Sequence, residues 1–536
     1  MSMSQASGQD RVPGGKAESG TINYTVKNSS LIEDAGRSST GDGLMSYFDE
    51  AIMDNNQGTK KFSIGPLSMI AIAFNTCNSW AGVSGSMQSA MLQGGPVTLL
   101  YGMIISTSAY LSIACVMGEL TSVYPTAGGQ YHFASILAPQ RYHKLIAYIC
   151  GLFNLVAWLA IASATVMLTS YNIITLVSAL RANYVAHPWH LFLVYEAFST
   201  TALLYNALAI KRASWIHDVG FFFSLSLFVG CFVTVLVRSS PKQPDSFVWT
   251  AFLNYTGWGD GICFLTSLSN TCFLFGGLDA SLHLVEEAEK PRRSVPIALI
   301  CAVCVGFVTA FSFTTALLYG ISDLDFILNA SGFVTFEVWS QALRSLTGTA
   351  AFSIAGIVLA WFMTNAIYQT TSRLTVAFAR DNAMVGSKLL ASTNPWLEAP
   401  LNALLFDWFI VTLFGCRFLA SSVAFNAILN STVSFGQITY LIPSGLLLYR
   451  KRSTIYLPSD RAFRLPSWLG WILNVYVVIF TSVMTVFFAF PSFYPTTTST
   501  FNYNIVIIGV VLFLGLANWV FYGQHHFHGP TILYQD

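Results

Sequence analysis

From Phe62 onward the chain alternates long apolar runs with short polar connections. Runs of about 18 to 25 apolar residues match the length a helix needs to cross a hydrocarbon layer. The pattern predicts helices over about 64–89, 95–118, 141–178, 190–210, 215–237, 260–289, 294–320, 347–377, 401–417, 421–449, 470–490 and 502–523. Lipid offers no water to backbone N–H and C=O groups, so a spanning segment defaults to helix, and the short alternating segments of a membrane barrel are not seen. The expected fold class is all-α integral membrane with twelve transmembrane helices in one domain, 62–523. Residues 1–59 hold eight carboxylates against Arg11, Lys16, Lys27 and Arg37. Together with an abundance of Ser, Gly and Asn, this predicts a disordered cytosolic tail over 1–61. A basic start followed by a short apolar stretch, the mark of a cleavable signal, is not seen. Residues 524–536 are expected to form a short cytosolic C-terminal tail.

Composition supports a membrane class. Only 10% of the 536 residues are charged and 54% are hydrophobic, against about 25% charged in a soluble domain. The formal net charge is +1, so the basic field that draws proteins to nucleic acid is missing and no nucleic-acid partner is expected. The nine cysteines lie in or beside apolar runs, which is not the layout of a disulfide framework. With a cytosolic amino terminus, seventeen Lys and Arg fall in inside loops and five in outside loops. This bias supports cytosolic termini at both ends. The sequons at Asn254 and Asn329 fall in loops on the expected outer side.

Two spans are interrupted. The first contains Asn78-Ser79-Trp80-Ala81-Gly82-Val83-Ser84-Gly85, and the sixth Phe273-Leu274-Phe275-Gly276-Gly277-Leu278-Asp279. Small and polar residues at mid-membrane depth point to local unwinding, and matched breaks in two five-span halves point to an inverted-repeat transporter with its site between them. The alternative is that the glycines only let helices pack closely. Unwound helix ends expose N–H groups and carbonyls that hold a carboxylate or an ammonium without buried charged side chains. That economy matters, because a central charge costs at least about 2.5 to 3.5 kcal/mol.

Asp279 is the main charged exception. It reads either as a partner for a substrate amine or trimethylammonium, with Trp80, Phe273 and Phe275 offering ring faces, or as an ordinary helix N-cap. His283 and Glu287 continue from Asp279 at four-residue steps, forming a stripe suited to gating or a proton relay; Glu286, Glu287 and Glu289 read equally as solvated residues at the helix exit. Glu119, Glu196, Asp218, Arg373 and Asp407 fall near span ends, where long side chains reach the interface. Trp158 and Trp361 are candidate pocket walls, or plain packing aromatics. Cys301 and Cys304 have metal-ligand spacing but no second pair, so no metal is expected. The run from Gly82 to Ser86 lacks the final glycine and the strand context of a hydrolase elbow. No nucleophile, base and orienting group occur together, so neither enzyme activity nor a cofactor is expected.

Several stretches carry a family resemblance: "NSWAGVSGSM", "GGPVTLLYG", "GELTSVYPTAGGQYHFASILAP", "FGGLDASLHLVEEAEKPRRSVP" and "SRLTVAFARDN". They fall in order over roughly residues 62–450, and the chain resembles the amino acid-polyamine-organocation superfamily, within it the fungal choline, GABA and amino acid permeases. The resemblance implies a leucine-transporter-like fold with a five-plus-five inverted repeat and broken helices 1 and 6. It implies substrate contacts from Asn78, Ser79, Trp80, Ala81, Gly82 and Val83, and from Phe273, Gly276, Gly277, Leu278 and Asp279, with Phe273 at an aromatic-lid position. Asp279 replaces the more usual glutamate. Ser224 stands near the place where some proton-coupled relatives carry a lysine, so the coupling mechanism does not transfer. The expected function is a secondary active transporter of a small amine-bearing solute (amino acid, GABA or choline-like) at the plasma membrane or an internal membrane, with a proton as expected coupling ion. A nutrient sensor of the same fold is the alternative.

Overall fold

The computed structural model describes residues 64–209, 215–329, 333–416, 424–497 and 501–529. The expected tail over 1–61 therefore lies outside the described residues, as do residues 330–332 beside Asn329.

Helices dominate. In chain order the principal ones are α1 (Pro66–Cys77), α2 (Ser79–Leu92), α3 (Gly95–Val123), α4 (Gln130–Leu137), α5 (His143–Leu180), α6 (Pro188–Leu208), α7 (Ile216–Arg238) and α8 (Asp260–Phe273). They continue with α9 (Ala280–His283), α10 (Pro291–Gly320), α11 (Val334–Leu343), α12 (Leu346–Arg380), α13 (Leu401–Gly415), α14 (Ala424–Tyr449), α15 (Ser467–Phe487) and α16 (Asn504–Asn518). The only sheet among the described residues pairs Gln93–Gly94 with Leu253–Asn254. There the Asn254 side chain donates to Trp258 O and Asp260 Oδ1, both at 2.8 Å, so this sequon amide is tied into its own turn.

Eight of these segments are each long and apolar enough to cross a membrane: α3, α5, α6, α7, α10, α12, α15 and the run Asn504–His526. They fall where the hydropathy pattern placed them, with ends moved by a few residues. The chain is an all-helical integral membrane protein. The other four expected spans take different forms. Residues 64–89 and 260–289 are divided, 401–417 is the 15-residue α13, and α14 covers 424–449.

The two interruptions differ in extent. The first was expected to unwind over 78–85, but only Asn78 leaves the helix, with φ 34° and ψ 60°. Gly82 N donates to Asn78 O at 3.0 Å, so the hydrogen-bond ladder restarts at once. Gly82 and Gly85 stay helical and admit Leu274, and Leu168 with Phe273, respectively, so the close-packing reading holds for those two glycines. The second interruption runs from Leu274 to Asp279, with Gly277 at φ 82°. A Cβ at Gly277 would lie 2.9 Å from Thr76 Cγ2 and 3.4 Å from the Trp158 ring, which is why this crossing point takes glycine. Beyond it the expected long half-helix is absent. Four residues of α9 give way to a 3₁₀ turn, Val285–Glu287, and then to an extended link. That link pairs with the start of α1: Ile64 N donates to Glu287 O at 2.7 Å and Glu289 N to Ile64 O at 2.9 Å.

Two carboxylates expected at span ends are buried instead. Glu119 is fully buried, ion-paired to Arg452 and Arg461, and also accepts from Leu465 N. Three donors offset the cost of removing its charge from water. Asp407 is 1% exposed in the middle of α13. At the far end the last helix turns past residue 523, the expected boundary, to His526. Phe527 is then fully buried against Tyr148, Phe378 and Trp519.

Candidate functional site

The two interruptions meet. Between α1, α2, α5, α8 and α12 lies a cavity of about 100 Å³. Its lining takes Trp80, Ala81 and Gly82 from the first interrupted segment and Phe273 and Gly276 from the second. The remaining wall includes Thr76 and Cys77 at the end of α1, one face of α5 (Ile161, Thr165, Leu168, Thr169, Asn172), Leu359, Ala360 and Met363 of α12, and Phe333 and Trp339 near α11. Four aromatic rings and several hydroxyls line it, and among the described residues no charged side chain does. An unprotected charge inside the membrane is thereby avoided.

Asn78, at the first break, is fully buried and points away from the cavity to Ser224 of α7. Its Nδ2 donates to Ser224 Oγ at 3.0 Å, and Trp80 Nε1 donates to the same oxygen at 2.9 Å. Trp80 packs edge-on to Phe313, so its indole is fixed on two sides. Ser79, Val83 and Leu278 were expected to face substrate; each is buried and outside the cavity lining. Helix α2 resumes too early to turn Ser79 and Val83 inward, and Ser79 abuts Gly306 of α10.

Asp279 does not cap α9 with its side chain. Its Oδ2 accepts from Gln130 Nε2 at 2.6 Å and Trp158 Nε1 at 3.1 Å and lies 3.1 Å from His283 Nε2, while Oδ1 accepts from Tyr440 Oη at 2.9 Å. This carboxylate, 4% exposed, lies outside the cavity lining. It lies beyond Gly277 and Trp158, about a turn of α5 from Ile161. Trp158, expected as a pocket wall, is outside the cavity lining; its ring lies against Gly277 and its indole N–H on Asp279. His283 Nδ1 lies 3.0 Å from Ala127 O, which can only accept, so Nδ1 carries a hydrogen. Nε2 then faces Oδ2. A proton held between these two atoms makes the pair net neutral, whichever atom it sits on, which suits its burial.

The expected Asp279–His283–Glu287 stripe breaks after His283, because the 3₁₀ turn rotates Glu287 away. Glu287 Oε1 instead takes Arg373 Nε of α12 at 2.5 Å, and Glu286 pairs with Arg380 at 2.8 Å. Beside them His217 Nε2 lies 2.7 Å from Gln369 Oε1, and Ser68 Oγ donates to Asp218 Oδ2 at 3.0 Å. These contacts join α1, α7, α12 and the 3₁₀ turn on one side of the cavity, opposite Trp339. Trp361 is not a cavity wall: its ring packs edge-on to Tyr205 of α6.

The sequence reading missed Thr76, Thr165, Thr169, Asn172, Trp339 and Met363. A stripe of Ile161, Thr165, Leu168 and Asn172 has helical spacing, yet nothing in a single sequence says which face of α5 meets the breaks.

Residues 64–513 match the family described as amino acid permease. Among similar proteins, the choline transporter of Saccharomyces cerevisiae is 32% identical over 88% of this chain and 82% of its own length. The amino-acid permease BAT1 of Arabidopsis thaliana is 27% identical over 88% of this chain and 93% of its own. The 7-keto 8-aminopelargonic acid transporter of Saccharomyces cerevisiae is 26% identical over 83% of this chain and 89% of its own. With the family matched over most of the sequence, and two interrupted helices meeting at a cavity inside an apolar bundle, this chain belongs to the amino acid permease family, which are membrane transporters and not enzymes.

Proposed function

We propose that the protein is a secondary active transporter that moves a small amine-bearing solute by alternating access around the cavity between the α1–α2 and α8–α9 interruptions. The reading adopts twelve crossing segments in a leucine-transporter-like, five-plus-five arrangement: the eight long helices, the two divided segments, α13 and α14. One membrane domain spans 62–523, both termini are cytosolic, and the plasma membrane is the first place to look. Trp80, Ala81, Gly82, Phe273 and Gly276 contact the solute. Asn78 and Gly277 shape the breaks. Asp279 with His283 forms a layer beneath, and Glu287 with Arg373 closes the side opposite Trp339.

The observation that carries this reading is a cavity lined by both interruptions, rich in aromatic rings and free of charged side chains. Such a lining suits an ammonium held by ring faces and carbonyl dipoles, so a choline-like cation leads the substrate panel, followed by GABA and zwitterionic amino acids. The likeness to a choline transporter and to amino acid permeases covers the same range. Reconstituted vesicles containing the purified chain, given radiolabelled choline, GABA and amino acids under imposed proton or sodium gradients, test it. Saturable uptake of one class supports transport; ligand binding with no flux under any gradient points to a sensor instead.

A further inference from the structure

Away from the cavity, a second set of polar groups lies along the seam where α6, α12 and α13 pack. Asp407 of α13 is 1% exposed. Its Oδ1 accepts a 2.7 Å hydrogen bond from the Thr375 hydroxyl of α12, and its Oδ2 is buried without a partner. Glu196 of α6 is half-buried; Oε2 accepts from Thr412 of α13 at 2.9 Å, and Oε1 is likewise buried and unpartnered. Tyr368 of α12 is within electrostatic reach of both carboxylates, and its hydroxyl shares a 2.6 Å hydrogen bond with Ser199 of α6.

Among the described residues, the elements packed on α13 bring no compensating charge to either carboxylate. Helix α6 brings Glu196 and Tyr195, and α12 brings Tyr368 and Thr375. Helix α5 brings Ser163, which accepts from Tyr195, and the short helix Ser387–Leu390 carries Lys388, which is exposed. Among the described residues no Lys, Arg or His forms an ion pair with Asp407 or Glu196. A lone carboxylate in such surroundings is costly and takes a proton instead. With Oδ1 occupied by the Thr375 hydroxyl, the proton belongs on the orphan Oδ2. The same hydroxyl supports the ionised form through Oδ1. Asp407 and Thr412 are five residues apart, about 7.5 Å along the helix, which sets the two carboxylates at different depths. Glu196 lies toward the Trp339 side, Asp407 deeper.

We propose that Asp407 Oδ2 is a proton-binding site, separate from the substrate cavity, that is loaded and emptied once in each transport cycle. Its role in the cycle rests on the transport reading, whereas proton binding itself does not. The test uses the full chain, wild type and Asp407→Asn, in vesicles loaded under an inward proton gradient with choline and GABA as probes, alongside infrared spectra at stepped pH. The wild type is expected to concentrate the solute several-fold and to gain a carboxylic-acid carbonyl band on acidification. D407N is expected only to equilibrate the solute and to lose one component of that band, seen in the wild-type-minus-D407N difference spectrum. Thr375→Val removes the hydrogen bond that favours the ionised state, so the band should appear at higher pH.

Undiminished proton-driven concentration by D407N overturns the proposal, as does wild-type accumulation indifferent to the proton gradient or a wild-type-minus-D407N difference spectrum with no carboxylic-acid component. If D407N fails to fold, judged by its melting in detergent, the T375V midpoint decides: an unmoved midpoint overturns the site. A wild type that carries neither of these probes nor any zwitterionic amino acid sinks the transport reading, and the infrared band still rules on proton binding.

Discussion

The hydroxyl of Ser224 accepts a 3.0 Å hydrogen bond from Nδ2 of Asn78, so one small side chain on α7 holds the residue at which the first membrane helix breaks. It also takes the indole hydrogen of Trp80, a cavity-lining residue, at 2.9 Å. Any displacement of α7 is thereby felt at both the break and the cavity wall.

Ser224→Ala strands two buried donors, and each unsatisfied group costs about 1–3 kcal/mol. The variant should melt several degrees lower in detergent and transport more slowly. Melting and uptake equal to the wild type would show that the Asn78–Ser224–Trp80 contact is incidental.

Gly277 and Gly276 are neighbours with different duties. Only Gly277 has a left-handed backbone, at φ 82°, with Thr76 and Trp158 against the missing Cβ. A side chain there costs roughly 1–2 kcal/mol in backbone conformation before the collision with Thr76 is counted. Gly277→Ala should lose uptake by tenfold or more, and Gly276→Ala by clearly less. Kinetics of the two variants side by side check this, and an inverted order would remove Gly277 from its hinge position.

Asp279→Asn is expected to fail for a reason of hydrogen-bond polarity. Gln130 and Trp158 donate to Oδ2, with His283 beside them, and Tyr440 donates to Oδ1. An amide NH₂ at the Oδ2 position confronts the Gln130 and Trp158 donors, at a cost of about 1–3 kcal/mol for each group left unpaired. Turned to the Oδ1 position it can donate to the Tyr440 hydroxyl, but the neutral amide oxygen then left for Gln130 and Trp158 is a weaker acceptor than the carboxylate. Uptake should fall about tenfold or more. Wild-type rates in D279N would show that the charge of this carboxylate is dispensable for transport.

The Glu287–Arg373 pair is one-fifth exposed on both sides, at 21% each, so solvent screens it and its coupling should be about 1 kcal/mol or less. In a double-mutant cycle with Glu287→Gln and Arg373→Gln, the double variant should be no worse than either single one. Strictly additive losses in uptake would mean the two residues act apart.

Phe527 is fully buried among Tyr148, Phe378 and Trp519. Phe527→Ala removes a core aromatic, a change worth about 3–5 kcal/mol, and should show as a large drop in melting temperature. An unaltered melt would mean this short segment is not part of the packed domain.

How much was legible in the sequence follows from which signals are local. Hydropathy runs place α3, α5, α10 and α12 because crossing lipid constrains length and polarity residue by residue. The breaks at Asn78 and Gly276–Gly277 were visible for the same reason, as polar and small residues where lipid tolerates few. Their extent was not. Gly82 and Gly85 look like unwinding residues in sequence, yet Asn78 alone absorbs the turn, and the glycines serve Leu274, Leu168 and Phe273 across the interface. Likewise the four-residue stripe through Glu287 assumed continuous helix, and a 3₁₀ turn redirected that side chain to Arg373.

The sequence alone determined the class of the molecule, the depth at which two helices break, and the set of residues around those breaks. It did so because lipid punishes charge and unpaired backbone locally, wherever they occur along the chain. Only the tertiary structure decided that Ser224 answers Asn78, that Asp279 is buried outside the cavity lining, that Trp361 turns away, and that Asp407 has no counter-charge among the described residues. Each of these depends on which residue from a distant segment lies within about 3 Å, a distance at which hydrogen bonds form or fail. No local pattern encodes that meeting.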